Sequence, residues 1–193
     1  MRLFVAAYPP PPVRDHLRER LAGLQISTAA ARGVNTRAAR PDTWHITLVF
    51  LGEVPEERAA DVPVAIQRAV GRWRAVGPGV PTLRLASGGR FGRGRYTLLW
   101  VGVDGDREPL EQLSRQVRRE LKRDRLPYDD RPFKAHLTIA RPGDRLDRAA
   151  VDADRAALAE YRGPPWALET VTLVRSHPGP RPRYDHLDEW PLA

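Results

Sequence analysis

Two stretches decide how this chain folds: Trp44-His45-Ile46-Thr47-Leu48-Val49-Phe50-Leu51-Gly52 and Lys134-Ala135-His136-Leu137-Thr138-Ile139-Ala140-Arg141. Both are short and apolar, which reads as buried strand. Each carries the same tetrad, His45-Ile46-Thr47-Leu48 and His136-Leu137-Thr138-Ile139. Side chains alternate along a strand, so His and Thr share one face and the two apolar residues share the other. The apolar pair anchors the strand in a core, and the polar pair faces whatever lies opposite. With 5 His and nine Thr in 193 residues, about 0.2 His-x-Thr matches are expected by chance, so two in register carry information.

Outward from the tetrads the elements repeat. Strands are expected at 2–8, 44–52 and 81–87, with helices near 12–25 and from Pro55 to about 74. The second half gives strands at 96–103, 134–141, 166–176 and 184–192, and helices at 108–123 and 146–161. From His45 to His136 is 91 residues, and the following helices, at Glu56 and Asp147, keep the same separation. A period of this length indicates duplication of a half-domain. The expected fold is α+β and bilobal: duplicated β-α-β-α-β halves, two mainly antiparallel sheets flanking a central cleft, and helices outside. Residues 1–193 then form one domain of two pseudo-symmetric halves, about 1–90 and 91–193. Related by a twofold axis, the tetrads bring two imidazoles and two hydroxyls to one cleft.

Composition narrows the classes. Hydrophobic residues at 41% and charged residues at 29% fit a globular chain that buries a core. Cysteine is absent, which excludes a disulfide framework, a thiolate metal site and a cysteine nucleophile. The longest apolar runs, such as Tyr96 to Val103, are too short to span a bilayer, and Met1 to Pro10 has no leader-like block, so a cytoplasmic protein is expected. Net charge is +8, and 30 of the 32 basic residues are arginine, only Lys122 and Lys134 being lysine. Guanidinium forks match phosphate oxygens in pairs and favour a polyanionic partner such as RNA, although drift towards Arg, Ala and Pro explains the same bias. No heptad or large apolar stripe asks for a second copy, and a monomer is expected.

Paired imidazoles suit phosphate ester cleavage. With ordinary values near 6.5, one neutral His takes a proton from an attacking hydroxyl or water, and a protonated His supplies one to the leaving oxygen. The Thr hydroxyls donate to the non-bridging oxygens, where charge accumulates. This chemistry requires no metal or cofactor. A metal reading is poor, since no carboxylate recurs beside both tetrads and Asp42 has no counterpart near His136.

With the opening Arg2-Leu3-Phe4-Val5-Ala6-Ala7-Tyr8-Pro9-Pro10, the Phe50-Leu51-Gly52 that follows the first tetrad, and Pro132-Phe133-Lys134 before the second, the chain resembles the two-histidine (2H) phosphoesterases. Within them it is most similar to the RNA 2′,3′-cyclic phosphodiesterases, historically called 2′-5′ RNA ligases. The resemblance covers essentially the whole chain. It implies a bilobal fold with both motifs in a central cleft, and hydrolysis of a terminal 2′,3′-cyclic phosphate to a 2′-phosphomonoester, with reversible 2′-5′ ligation as a side activity. It implies His45 as proton donor to the leaving 3′ oxygen, and His136 as proton acceptor from water. It further implies that Phe50 stacks on a nucleobase and that Arg141 joins Thr47 and Thr138 in phosphate binding. Strict alternation, however, puts Phe50 and Arg141 on the face opposite their histidines, so the strands must bend or end there. Otherwise Phe50 is core and Arg141 caps the strand end.

The turn Ser87-Gly88-Gly89-Arg90-Phe91-Gly92-Arg93-Gly94-Arg95 reads either as an RNA-contacting arginine-glycine segment or, more plainly, as a solvated connection whose Phe91 packs locally. Arg37 and Arg40 lie in a loop that either reaches the cleft mouth or is merely solvated. His16 and His177 read as surface residues, His186 as an edge residue, and the five tryptophans as core, with Trp44 pointing into it. Two other functions fit the charge and motifs less completely: cleavage of a small cyclic phosphate derived from ADP-ribose, and RNA binding without turnover. Salt-sensitive RNA binding indifferent to His45 and His136 would mark the latter.

Overall fold

The two motif strands lie side by side. In the computed structural model, which describes residues 1–179 and 182–193, strand β2 (Ile46–Glu53) pairs antiparallel with β5 (His136–Ala140) at one register, Ile46 opposite Leu137. Around this seam run β1 (Arg2–Ala7), β3 (Thr82–Phe91), β4 (Leu98–Gly105), β6 (Arg162–Ala167), β7 (Thr170–His177) and β8 (Arg183–Pro191). Among the described residues the eight strands form one antiparallel sheet in the order β6-β3-β4-β5-β2-β1-β7-β8. The expectation of two sheets is thereby corrected, because β2 and β5 hydrogen-bond directly. Past their single register the two strands diverge, and the backbone of 37–39 takes over: Ala39 N–H donates to Ile139 O (2.8 Å) and Arg141 N–H to Arg37 O (3.2 Å).

The sheet does not divide at residue 90. Strand β3 stands beyond the seam beside β4, because the short connection 92–97 folds the two into a hairpin. Strand β7 in turn joins β1, and β8 joins β7 at the edge. Helices cross similarly: α1 (Pro11–Ala22) packs on β6, and α2 (Gln25–Ala31) on α5 (Arg148–Ala159), which lies on β3. On the other side α3 (Asp61–Ala75) packs on α4 (Arg107–Arg123), which covers β2. Among the described residues, no helix is long and apolar enough to cross a membrane.

Local chemistry explains the remaining differences from the sequence expectation. Strand β6 contains Pro164 and Pro165, residues that cannot donate to a ladder, and it sits at the sheet edge where one side needs no donor. Strand β3 runs on through Gly88 and Gly89, where each missing side chain serves a different face. A Cβ on Gly88 would lie 2.4 Å from Leu158 of α5, and one on Gly89 2.3 Å from the Trp100 ring. Gly89→Ala is therefore expected to lower stability by about 1–3 kcal/mol through overpacking, read as a fall in the denaturation midpoint. The apolar halves of both tetrads are buried as alternation requires, with Ile46, Leu48, Leu137 and Ile139 all at 2% exposure or less.

Candidate active site

Each motif histidine sits where its strand begins, and each is oriented in the same way. His45 Nδ1 hydrogen-bonds Thr43 O at 2.8 Å, and His136 Nδ1 bonds Lys134 O at 2.6 Å. A carbonyl only accepts, so Nδ1 carries a proton in both rings and Nε2 remains to handle a proton in transit. The preceding chain sets this geometry: one 3₁₀ turn at Pro41–Thr43 delivers the Thr43 carbonyl to the first ring.

A bulge in each strand resolves the conflict over Phe50 and Arg141. In the β1–β2 ladder Ala6 faces Thr47 and Val5 faces Val49, so Leu48 is an extra residue. In β4–β5, Trp100 faces Thr138 and Leu99 faces Ala140, so Ile139 is extra. An inserted residue flips the alternation beyond it. Leu48-Val49 and Ile139-Ala140 accordingly both point into the core, and the third residue after each Thr returns to the histidine face. Phe50 there packs against the small cluster of Phe4, Ala6 and Val174, while the Arg2 guanidinium lies 4.9 Å over its ring. Arg141 follows the last residue of β5, and its charge reaches both His45 and His136.

Aromatic walls surround the two imidazoles, and Phe4, Tyr8 and Trp100 among them had not been placed there from the sequence. Phe4 stacks on His45 with ring centres 4.8 Å apart, Tyr184 meets it edge-on at 5.2 Å, and Tyr8 lies at 5.8 Å. His186, read as an edge residue, contacts Tyr8 at 4.7 Å. Around His136 stand Phe91 at 5.1 Å and Trp100 at 6.3 Å, with Lys134 over the Phe91 ring. Thus Phe91 packs on the second motif, and Trp100 lines its face. The period-two spacing of Phe4, Ala6 and Tyr8 was the available signal, but only the ladder shows that it lies beside β2. Trp44 does point inward, donating from Nε1 to Ala39 O. His16 and His177 have local partners, Tyr161 and Asp185.

Burial and positive neighbours keep both imidazoles neutral. For His45, burial is the main cause and His136, Arg141 and His186 add to it, bringing its pKa to about 4 despite the Thr43 bond. His136 is also lowered, by burial first and then by Arg141 and Lys134. Burial likewise raises the phenols of Tyr8 and Tyr184. A histidine with a folded value below its unfolded 6.5 adds stability that is present above pH 6.5 and is lost as pH falls to 4. The displacement of His45 corresponds to about 3 kcal/mol. Between pH 7 and pH 4 the wild type is expected to lose more stability than His45→Gln, measured as denaturant midpoints of both.

A curled antiparallel sheet with two bulged His-x-Thr strands at its centre defines a 2H phosphoesterase site. Residues 4–180 match the family described as the 2'-5' RNA ligase superfamily, and the chain belongs to that family. It is 30% identical to an Escherichia coli protein named RNA 2',3'-cyclic phosphodiesterase, over 100% of this chain and 97% of that one. A Thermus thermophilus protein of the same name is 31% identical, covering 100% of this chain and 90% of its own. The crystal structure of TT0787 of Thermus thermophilus superposes with a TM-score of 0.70 at 27% identity, covering 100% of this chain and 98% of the other.

Proposed function

We propose that this protein hydrolyses RNA 2′,3′-cyclic phosphate ends to 2′-phosphomonoesters by metal-independent acid/base catalysis, as a single domain whose two motifs form one cleft. The observation that carries the reading is the matched pair of imidazoles, each fixed through Nδ1 to the carbonyl two residues earlier. The names of the relatives at 30–31% identity support the substrate class.

The cyclic diester brings one negative charge. Between the imidazoles and beside Arg141 it stabilises the charged form of each histidine, raising values that are depressed in the free site. His136 Nε2 accepts a proton from water as the water oxygen bonds to phosphorus. The bond from phosphorus to the 3′ oxygen breaks, and His45 donates its Nε2 proton to that oxygen. Thr47 and Thr138 donate to the non-bridging oxygens, Arg141 offsets their charge, and Phe50 stacks on the terminal base. A 5′ hydroxyl in place of water gives a 2′-5′ linkage by the same steps.

A second assignment exchanges the two histidines, and the stronger depression of His45 favours it: in the free site His136 holds a proton more readily. The experiment for the reaction itself is incubation of a cyclic-phosphate oligonucleotide with EDTA. Conversion to the 2′-phosphate is expected, and an unchanged end overturns the reading.

A further inference from the structure

The two motif histidines carry aromatic walls on opposite sides of their seam. In the sheet order β1, β7 and β8 lie beyond β2, whereas β4 and β3 lie beyond β5. Phe50 packs against the cluster that holds Phe4, and the Phe4 ring stacks on His45. On the other side Phe91 of β3 meets His136 edge-on at 5.1 Å. Trp100 of β4 stands opposite Thr138, with its ring centre 6.3 Å from that of His136. Hydrolysis employs Phe50, but water as the entering group makes no use of the second wall.

That wall is built as a platform. The Phe91 and Trp100 rings are tilted by 30° with centres 5.2 Å apart, and both remain partly exposed. Gly89 lets the indole lie flat on β3. A Cβ there would fall 2.3, 2.7 and 2.8 Å from three adjacent ring atoms, the spacing of a point above the ring face. Trp100 Nε1–H is buried without an acceptor among the described residues, so packing alone would be served better by a phenyl ring, which strands no donor. What the indole adds is flat aromatic area. A cation stands beside it: exposed Lys134, two residues before His136, has its Nζ 5.8 Å from the Phe91 ring centre.

Displacement at phosphorus holds the entering and leaving oxygens in line, one at each imidazole. The 3′ oxygen belongs to the terminal nucleoside, which with His45 as donor lies on the Phe50 side. The entering oxygen then lies on the side of Phe91 and Trp100. Taking the phosphodiesterase reading above as given, we infer that Phe91 and Trp100 form a second nucleobase platform, which receives the base of a nucleoside whose 5′ oxygen is the entering group. Lys134 offsets the next phosphate on that nucleoside's strand. Exchanging the two histidine roles exchanges the nucleosides and keeps both platforms. In the reverse direction the 3′ hydroxyl of a 2′-5′ diester gives its proton to one imidazole as its oxygen bonds to phosphorus. The bond from phosphorus to the 5′ oxygen breaks, and the other imidazole protonates that oxygen. The products are a 2′,3′-cyclic phosphate and a free 5′ hydroxyl.

The test uses two diesters that differ only in the second base: a 2′-5′-linked diadenosine monophosphate, and the same compound with an abasic ribose on the 5′ oxygen. Wild type is expected to cleave the first with a kcat/KM about tenfold higher, the scale of one stacked base. In Phe91→Leu and Trp100→Leu that ratio falls towards one. Each ratio is taken within one preparation, so any loss of folded protein cancels. A wild-type ratio near one, or variants that slow both diesters equally, overturn the platform. Hydrolysis of adenosine 2′,3′-cyclic phosphate is measured in parallel. If wild type hydrolyses it but cleaves neither diester, no nucleoside enters beside His136 and the platform falls alone. If wild type cleaves none of the three, the phosphodiesterase reading falls with it.

Discussion

His136→Ala and His45→Ala are each expected to fold normally and to lose about 10²- to 10⁴-fold in kcat/KM on a cyclic-phosphate oligonucleotide. Neither ring belongs to the main apolar core, so truncation leaves Ile46, Leu48, Leu137 and Ile139 packed as before. The double variant falls little further than the worse single one, since acid and base act as a unit. Replacing the leaving 3′ oxygen with sulfur separates the roles. A thiolate departs without a proton, so activity returns to the variant lacking the acid and stays low in the one lacking the base. Rescue of His45→Ala supports His45 as donor, and rescue of His136→Ala establishes the exchanged assignment. Because both values lie below 6.5 in the free site, both limbs of the kcat/KM profile are expected below that pH. The bound anion raises the two values, so the kcat profile lies to the alkaline side. Near wild-type turnover in either variant refutes paired catalysis.

Arg141→Gln is expected to lower kcat by about 10²- to 10³-fold, the scale seen when a group facing developing charge is removed. A residue that only capped β5 would be replaced by glutamine at little cost. A second readout distinguishes the two. The Arg141 charge depresses both imidazoles, so its removal moves the residual kcat/KM profile towards higher pH. An unchanged profile with near-normal kcat removes Arg141 from the site.

The tetrads were legible because period-two patterning is local: His45 with Thr47, and His136 with Thr138, must share a face on any strand. Extending that rule five residues on failed, because a bulge is a property of two strands. Nothing in Leu48 or Ile139 announces that the opposite strand skips a residue there. The same limit hid Phe4, Phe91 and Trp100, whose neighbours are chosen by ladder register. It also hid the single sheet, since the exchange of β3 and β7 across the seam depends on which hairpins close.

The chemistry on offer and its two copies are already present in the residue pattern: two imidazoles, two hydroxyls, many arginines and no thiol. Where these groups meet follows from pairings between distant segments. Direct pairing of β2 with β5 joins the motifs, paired bulges turn Phe50 and Arg141 towards the histidines, and burial beside Arg141 sets the protonation of both rings. The physical reason is range: side-chain alternation acts over two residues, whereas register, burial and electrostatic field come from segments far apart in the chain.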